Sequence, residues 1–312
     1  MQGQASLALF WFLYLGAQGI FFPYYSLYLK ENAGLSGTEV GAVLAVIPSV
    51  EILTQTFWGQ VADRSGARSR VLALLAFGSS AGYVVLGLAR GFAAILLATA
   101  ALAIFATAVI PMTVSVTLGA LGAAGAHSFG LIRVWGTLGF LLTVVLFPWF
   151  LDSFQPTRGL EMMFLATAGL AFLAALAGLA LPREGTVALR AARGEWRLLI
   201  HNQALVRFLI FSFAAFFLLQ GPMWFLPVYV RLRGGDLDTI RWMWILMLIV
   251  EIPLILFSGK ALKRLGPRGL LALGIVAGAL RWTVSGMIEN LYLIYAVQTL
   301  HGVMVAGLLL GG

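Results

Sequence analysis

Long apolar runs separated by short polar segments make up almost the whole of this 312-residue chain. An α-helix needs about 20 consecutive, mostly apolar residues to cross a bilayer, and these runs have that length. The pattern predicts ten spans, at residues 5–29, 39–62, 71–89, 92–118, 129–151, 161–181, 204–230, 240–261, 269–288 and 291–312. We therefore expect an all-α polytopic membrane protein.

One polar loop occurs twice, with an offset of 200 residues. Residues 59–68 and 259–268 both follow the pattern G-x-x-x-(D/K)-R-x-G-x-R, after the second and the eighth span. A fixed internal period indicates a duplicated architecture, and many secondary transporters consist of two repeats with a site between them. The repeat unit contains six spans. We predict a first half at 1–181, a cytoplasmic linker at 182–203 and a second half at 204–312.

The second half is shorter than the first. Residues 204–312 contain four of the predicted spans, whereas residues 1–181 contain six. A complete second repeat would have two further helices, so we expect the sequence to be a fragment of a longer protein.

The composition supports a membrane protein and excludes several kinds of site. The chain is 61% hydrophobic and only 10% charged, whereas soluble domains are about half apolar and a quarter charged. It has no cysteine and only three scattered histidines, His127, His201 and His301. Disulfides and cysteine-based metal sites are therefore excluded. We expect no metal and no cofactor, and in the absence of a nucleophile motif or phosphate loop we do not expect an enzyme.

The distribution of charge predicts the orientation, because positively charged loops stay in the cytoplasm. With the N-terminus inside, twelve basic residues lie on the cytoplasmic side: Arg64, Arg68, Arg70, Arg183, Arg190, Arg193, Arg197, Arg207, Lys260, Lys263, Arg264 and Arg268. Six lie outside: Lys30, Arg90, Arg158, Arg231, Arg233 and Arg241. The net charge of +8 is thus a topology signal and does not indicate nucleic acid. We expect a multi-pass protein of the inner (plasma) membrane.

Away from the first and last few residues of the spans, four charged residues remain: Glu51, Arg133, Glu251 and Arg281. An unpaired charge at the bilayer centre costs at least ~2.5–3.5 kcal/mol, so such residues usually face a bundle interior or an aqueous cavity. Glu51 and Glu251 each precede the loop glycine by eight residues, about 12 Å at ~1.5 Å per residue, which places them near the midplane. Two interpretations remain open. The charges form ion pairs that lock helices together, such as Glu251 with Arg281, or they form a substrate and proton site.

Other polar and aromatic side chains in the spans are candidates for substrate contacts. Arg133 carries a rigid donor fork suited to carboxylates and vicinal hydroxyls, and Trp135 beside it either faces the lipid or joins the site. Prolines in the first and seventh spans kink these helices. The amide and aromatic groups near the kinks either line a substrate or simply pack; they are Gln18, Tyr24, Gln220 and Trp224. Arg281 and the adjacent Trp282 point about 100° apart on a helix, so we expect only one of them to face a cavity.

The duplicated loop resembles the signature of the major facilitator superfamily, and the likeness extends over the chain. Four further segments resemble the branch that holds the lactose, nucleoside and phenylpropionate permeases. They are Gly19-Ile20-Phe21-Phe22-Pro23 before Tyr28-Leu29-Lys30, Phe129-Gly130-x-x-Arg133-x-Trp135-Gly136, Leu280-Arg281-Trp282 and Gln298-Thr299-Leu300-His301. The resemblance implies the major facilitator fold, with two six-helix repeats and a substrate bound midway between them together with a proton.

The resemblance also assigns roles to individual residues. Arg133 falls where the lactose branch has its sugar-binding arginine, and Glu251, Arg281 and His301 fall on charges of its proton-coupling network. Met304 departs from the pattern, because lactose permease has a carboxylate there, one helical turn after the histidine. The proton would then have to be carried by Glu251, Glu51 or His301. The duplicated loop acts as a gate in the family, which points to Gly59, Asp63, Arg64, Gly66, Arg68, Gly259, Arg264, Gly266 and Arg268. Lys263 replaces the acid in the second copy, so the first copy should dominate gating.

We therefore predict a monomeric, proton-coupled symporter of a small organic solute that works by alternating access. An aromatic carboxylate, a sugar or a nucleoside fits the candidate residues, and their charges do not choose among them. The competing interpretation is a non-transporting or truncated remnant of such a carrier, which acts as a binding or receptor protein. The missing helices and Met304 motivate it.

Overall fold

The computed structural model describes residues 2–122, 125–154, 159–182 and 201–311. Within these ranges the chain is almost entirely helical and contains no strand. The helices are α1 (Gln2–Leu27), α2 (Gly37–Ser65), α3 (Arg68–Leu88), α4 (Phe92–Leu121), α5 (Gly125–Phe154), α6 (Met162–Leu179), α7 (Gln203–Leu232), α8 (Leu237–Leu256), α9 (Ser258–Met287), α10 (Leu291–Val297) and α11 (Leu300–Gly311). A π-helical turn, Tyr28–Asn32, extends α1.

Ten segments of the described chain are long and apolar enough to cross a membrane. Nine consist of the helices α1 to α9, and the tenth, Leu291–Leu308, joins α10 and α11 across a break at Gln298 and Thr299. The predicted all-α polytopic fold is therefore confirmed. The interruption of the last span was not predicted. Gln298 at this break contacts Arg281 of the candidate site.

The two copies of the duplicated loop place the same glycine in the same backbone region. Gly66 ends α2 with φ +62°, and Gly266 interrupts α9 with φ +66°. A left-handed residue at the end of a helix is usually glycine, because glycine has no Cβ to clash there. We predicted a loop between spans at 259–268, and the chain turns within this segment at Gly266, where two helical stretches of α9 meet at a kink before Pro267. The turn is shorter than the predicted loop, because one residue with positive φ is enough to redirect the chain.

The chain forms two compact units. The first contains α1 to α6 and residues 227–248. In it α1 packs against α5 and α6, α3 against α4 and α6, and α2 against α4. Two buried pairs of polar groups inside this unit contact each other: Trp11 Nε1 donates to Thr117 Oγ1 at 3.0 Å, and the hydroxyls of Tyr25 and Thr99 lie 2.5 Å apart. Both contacts join α1 to α4.

The second unit contains residues 201–226 and 249–311. Its main packing joins α9 to α11, at a crossing where a Cβ on Gly307 would lie 2.6 Å from the Cα of Gly274. Small residues at such a crossing let two membrane helices approach closely. Most of the predicted linker at 182–203, with its four arginines, lies outside the described residues, so the division of the chain into halves stays a prediction.

Candidate functional site

Three of the predicted coupling residues meet inside the second unit. Glu251 on α8, Arg281 on α9 and His301 on α11 are only 4%, 0% and 7% exposed. His301 Nε2 lies 3.6 Å from Glu251 Oε2, and His301 Nδ1 lies 3.0 Å from Arg281 Nη1. The imidazole therefore connects the acid to the guanidinium in a continuous polar chain.

The contact with Arg281 determines the tautomer of His301. A guanidinium only donates hydrogen bonds, so Nδ1 of the imidazole has to accept. The remaining ring proton then lies on Nε2, which faces the carboxylate of Glu251. In this arrangement the imidazole is neutral, and it separates a negative from a positive side chain.

Each of the three guanidinium nitrogens of Arg281 has a hydrogen-bond partner. Its Nε donates to Gln298 Oε1 at 2.8 Å and its Nη2 to Met223 Sδ at 3.0 Å. Gln298 lies at the break between α10 and α11, and its Nε2 donates to Ser285 Oγ at 3.2 Å. Non-helical backbone at membrane depth is tolerated where it is buried in protein, and here the break holds the amide that bonds the arginine.

Trp282 supports the same guanidinium from another side. Arg281 Cζ lies 4.3 Å from the centroid of the Trp282 ring, which is within the range of a cation–π interaction. Although the two side chains leave the helix about 100° apart, the guanidinium folds back over the ring. Arg281 and Trp282 therefore form one packed group.

Gly302 allows His301 to reach Glu251. A Cβ at Gly302 would lie 2.8 Å from the backbone nitrogen of Glu251 and 2.9 Å from its Cα. Such distances are too short for a carbon atom, so α11 approaches α8 this closely only because residue 302 has no side chain. The sequence did not identify Gly302, because a single glycine in an apolar run does not indicate which helix packs against it.

Met304 takes no part in this chain of polar groups. It is 4% exposed and packs in an apolar cluster with Ala277, Trp282 and Leu300. A thioether among apolar groups carries no proton, so position 304 offers no alternative to Glu251 and His301 within this cluster.

Arg133 belongs to the first unit, where it lies on α5. Its Nη1 donates to Thr137 Oγ1 at 3.2 Å, and its Cζ lies 4.9 Å from the ring centroid of Trp11. Trp135 is 49% exposed and lines an apolar cavity of about 650 Å³ with the first turns of α1. The aromatic partner of Arg133 is thus Trp11, which the sequence did not single out.

The other predicted substrate contacts have mixed surroundings. Gln18 Nε2 donates to the Tyr83 hydroxyl at 2.9 Å. Tyr24 is 1% exposed and packs on Phe147, and its hydroxyl has no hydrogen-bond partner among the described residues. Trp224 is half-buried on α7, whereas the side chain of Gln220 lies outside the described part.

Glu51 is the fourth charged residue of the spans and lies on α2, in the first unit. It is half-buried, and Gln55 Nε2 donates a hydrogen bond to its Oε1. Thr54, between them, bonds instead across to Thr107 on α4 at 3.1 Å. Glu51 therefore has an amide partner one helical turn toward the duplicated loop.

The two loop copies differ in their side-chain contacts. In the first, Arg68 donates to Asp63 Oδ1 through Nη2 at 2.9 Å and Nε at 3.2 Å. In the second, Lys263 and the arginines at 264 and 268 are exposed, and the surroundings of Gly259 lie outside the described residues. Arg64 and Gly66 are exposed, and Gly59 has open space beside it.

The proteins that this chain resembles are transporters. The model of the MFS_1 like family matches residues 4–310. The maltose permease of Geobacillus stearothermophilus is 28% identical over 300 residues, which cover 94% of this chain and 74% of the permease. The probable 3-phenylpropionic acid transporter of Escherichia coli K12 is 26% identical over 314 residues, 96% of this chain and 79% of the transporter. A crystal structure of a variant of the nucleoside transporter NupG superposes with a TM-score of 0.81 at 20% identity, over 99% of this chain and 81% of that one. At that identity, the likeness to NupG concerns the fold.

Proposed function

The chain belongs to the MFS_1 like family of transporters, and on that premise we propose that it couples the transport of a small organic solute to the movement of a proton. It is a multi-pass membrane protein of the major facilitator fold and a secondary transporter. The proton, the substrate class, the monomeric state and an inner-membrane location with a cytoplasmic N-terminus are parts of the proposal.

The buried chain Glu251–His301–Arg281 is the observation that supports proton coupling. A neutral imidazole with its proton on Nε2 lies between one carboxylate and one guanidinium, so the three groups are electrically balanced. Adding a proton to Glu251 removes its charge and leaves the positive charge of Arg281. A buried net charge is costly, so protonation favours either exposure of the group to water or the arrival of a negative charge.

This balance makes the proton a trigger for conformational change. Protonation of Glu251 weakens the contact between α8 and α11, because a neutral Glu251 attracts the Nε2–H of His301 less than a carboxylate does. A substrate that carries a carboxylate would restore the balance, and a neutral sugar or nucleoside would need the cluster to open to water. The relatives include a maltose permease and a probable 3-phenylpropionic acid transporter, so their names include both a neutral sugar and a carboxylic acid.

Arg133 supplies the substrate contact in this proposal. Its guanidinium carries a fixed donor fork, and the face of Trp11 supports it. Planar donors recognise carboxylates and vicinal hydroxyls alike. Gln18 and Trp224 are proposed as further contacts.

The experiment is substrate-evoked proton uptake in proteoliposomes, with aromatic acids, sugars and nucleosides tested side by side. We expect one class to give a signal that is lost in Glu251→Gln and in Arg133→Ala. Glu251→Gln should retain exchange of substrate, because binding and the conformational change remain possible without the proton. Glu161→Gln, at an exposed ion pair with Arg90, is the matched control. Undiminished proton-driven accumulation in Glu251→Gln would contradict the assignment.

A further inference from the structure

A cavity of about 240 Å³ opens between α2 and α4 in the first unit, beside the first copy of the duplicated loop. From α2 it is lined by Gln55, Gly59 and Asp63, and from α4 by Met112 and Ser115. A water occupies about 30 Å³ in the liquid, so the cavity has room for several waters. The polar groups of Gln55, Asp63 and Ser115 provide partners for them.

One row of residues on α2 runs along this cavity and continues one helical turn beyond it: Gln55, Gly59 and Asp63 line the cavity, and Glu51 lies next to Gln55. Glu51, Gln55, Gly59 and Asp63 follow one another at intervals of four residues, which places them on one face of a helix. Gln55 both lines the cavity and donates to Glu51 Oε1. At the other end Asp63, paired with Arg68, forms the wall next to the loop.

Gly59 leaves the middle of this face open. A Cβ at this position would meet no atom within 4 Å, whereas larger residues there would project into the cavity. The glycine is thus not required for helix packing at this point. Its effect is to keep a continuous space between the amide of Gln55 and the carboxylate of Asp63.

We propose that Glu51 is a second protonation site of the carrier and that this cavity is its aqueous path to the loop side of the membrane. The proposal rests on the proposed proton coupling and on the proposed cytoplasmic position of the loop. It assigns a separate route to the first unit, in addition to the cluster of Glu251, His301 and Arg281.

The chemistry of the step is a simple proton transfer. Gln55 donates to Oε1 of Glu51, so the acid carries its proton on Oε2. The O–H bond of the acid breaks, a cavity water takes the proton, and the resulting hydronium leaves toward Asp63. The amide of Gln55 then stabilises the carboxylate, and uptake of a proton from the loop side reverses the step.

The chain offers a direct test of the cavity, because it contains no cysteine and a single introduced thiol is its only one. Ser115→Cys places a thiol on the cavity wall, and Thr113→Cys on the same helix places one at a site that is 1% exposed. In inside-out membrane vesicles a membrane-impermeant methanethiosulfonate should modify Ser115→Cys at least about tenfold faster than Thr113→Cys, since thiol reactivity follows exposure.

Filling the cavity should remove that difference. Gly59→Leu adds a side chain to open space and replaces glycine with a better helix former, so we expect it to fold and to slow labelling of Ser115→Cys by about tenfold as well. Gly41→Leu is the matched control, because Gly41 lies on the same helix and also has open space beside it. Equal labelling with and without the Gly59→Leu substitution, or labelling only from the opposite face, would overturn the aqueous path.

Proton release then tests Glu51 itself. We expect Glu51→Gln, Gly59→Leu and a second plug, Ser115→Leu, each to slow substrate-evoked proton release to the loop side, and Glu161→Gln to leave it unchanged. Unaltered release in Glu51→Gln would overturn the assignment of Glu51, even if the cavity is labelled. If the unaltered protein moves no proton at all, the proposed function fails together with the role of Glu51, and the labelling result shows only a hydrated cavity.

Discussion

Arg281 shows how much a single side chain contributes at the scale of the residue. It contacts an amide, an imidazole, a thioether and an indole ring, and each contact uses a different part of the guanidinium. A buried charge is tolerated when its hydrogen-bonding groups are satisfied, and here four neighbours on different segments satisfy it. Position 281 therefore requires the planar guanidinium of arginine as well as its positive charge.

The conservative change Arg281→Lys tests this interpretation. Lysine keeps the charge but lacks the planar fork, so it leaves Gln298 Oε1 or His301 Nδ1 without its donor. An unsatisfied buried group costs about 1–3 kcal/mol, and we expect a lower unfolding temperature in detergent together with loss of proton uptake.

Arg90→Lys is the matched control for that change, because Arg90 is exposed and its contact to Glu161 is 3.7 Å long. A lysine at position 281 that leaves both the unfolding temperature and proton uptake as they were would show that the charge alone is sufficient.

The sequence singled out Glu251, Arg281 and His301, but it did not identify Gln298 as a partner of Arg281 or Trp11 as a partner of Arg133. Glu251 and Arg281 were visible because an ionisable residue inside a span is expensive. Gln298 was only part of a resembling segment, and Trp11 lay in an apolar run far from Arg133. The pairing of an aromatic ring with a distant cation depends on how helices cross, and no local pattern contains that information.

At the scale of the element, close approach of helices decides which side chains can meet. A Cβ at Gly139 of α5 would lie 2.8 Å from the carbonyl carbon of Phe12 in α1. Gly302 has the same effect between α11 and α8. The small residues at 130, 136 and 139 indicated a close helix contact of α5, but nothing in the sequence showed that Gly302 lies at a crossing and Gly59 beside open space.

Gly302→Ala should separate coupling from folding. The added Cβ would lie 2.8 Å from the backbone of Glu251, so α11 has to move away and His301 loses its contact with the carboxylate. Overpacking of this kind costs about 1–3 kcal/mol. We expect a modestly lower unfolding temperature, retained membrane insertion and strongly reduced proton uptake with substrate exchange preserved.

Gly286→Ala provides the comparison for this variant, since Gly286 on α9 has no atom within 4 Å of a Cβ. Proton uptake that is equally reduced in both variants, or unchanged in Gly302→Ala, would show that close approach of α11 to α8 does not position His301.

At the scale of the whole molecule, the 200-residue repeat is visible at other positions besides the duplicated loop. Ser36 and Asp236 cap α2 and α8 at equivalent positions, by bonds to Glu39 N and Thr239 N. Glu31 and Arg231 are equivalent too, and they bond each other directly. Composition and periodicity were sufficient to predict the ten spans and the repeat, because both follow from bilayer thickness and internal similarity. The contact between Glu31 and Arg231 required the structure.

The ion pair of Glu31 and Arg231 joins the proposed outer ends of the first and seventh spans. Arg231 donates to Glu31 through Nε at 2.7 Å and Nη2 at 3.2 Å, and its Nη1 bonds Gly235 O at 3.3 Å. The two side chains are 36% and 37% exposed. In the proposed alternating-access cycle the outer ends of the two predicted halves separate, so we expect the pair to break in each cycle.

Removing the pair should shift the conformational equilibrium by a small and predictable amount. Exposed ion pairs contribute about 0.2–1 kcal/mol, so Glu31→Gln should favour the outward-open state by up to about fivefold, and high salt should have a similar effect. The measurement is labelling of Tyr24→Cys by an impermeant thiol reagent from the outer side, since Tyr24 is 1% exposed when the pair is formed.

The exchange of both charges, Glu31→Arg with Arg231→Glu, should restore slow labelling. Arg90→Gln breaks a comparable exposed pair within the first half, and it should not change the labelling rate. Fast labelling in the charge-exchanged protein would mean that the two side chains do not hold these ends together. The burial of Tyr24 would then have to come from its apolar packing, such as its contact with Phe147.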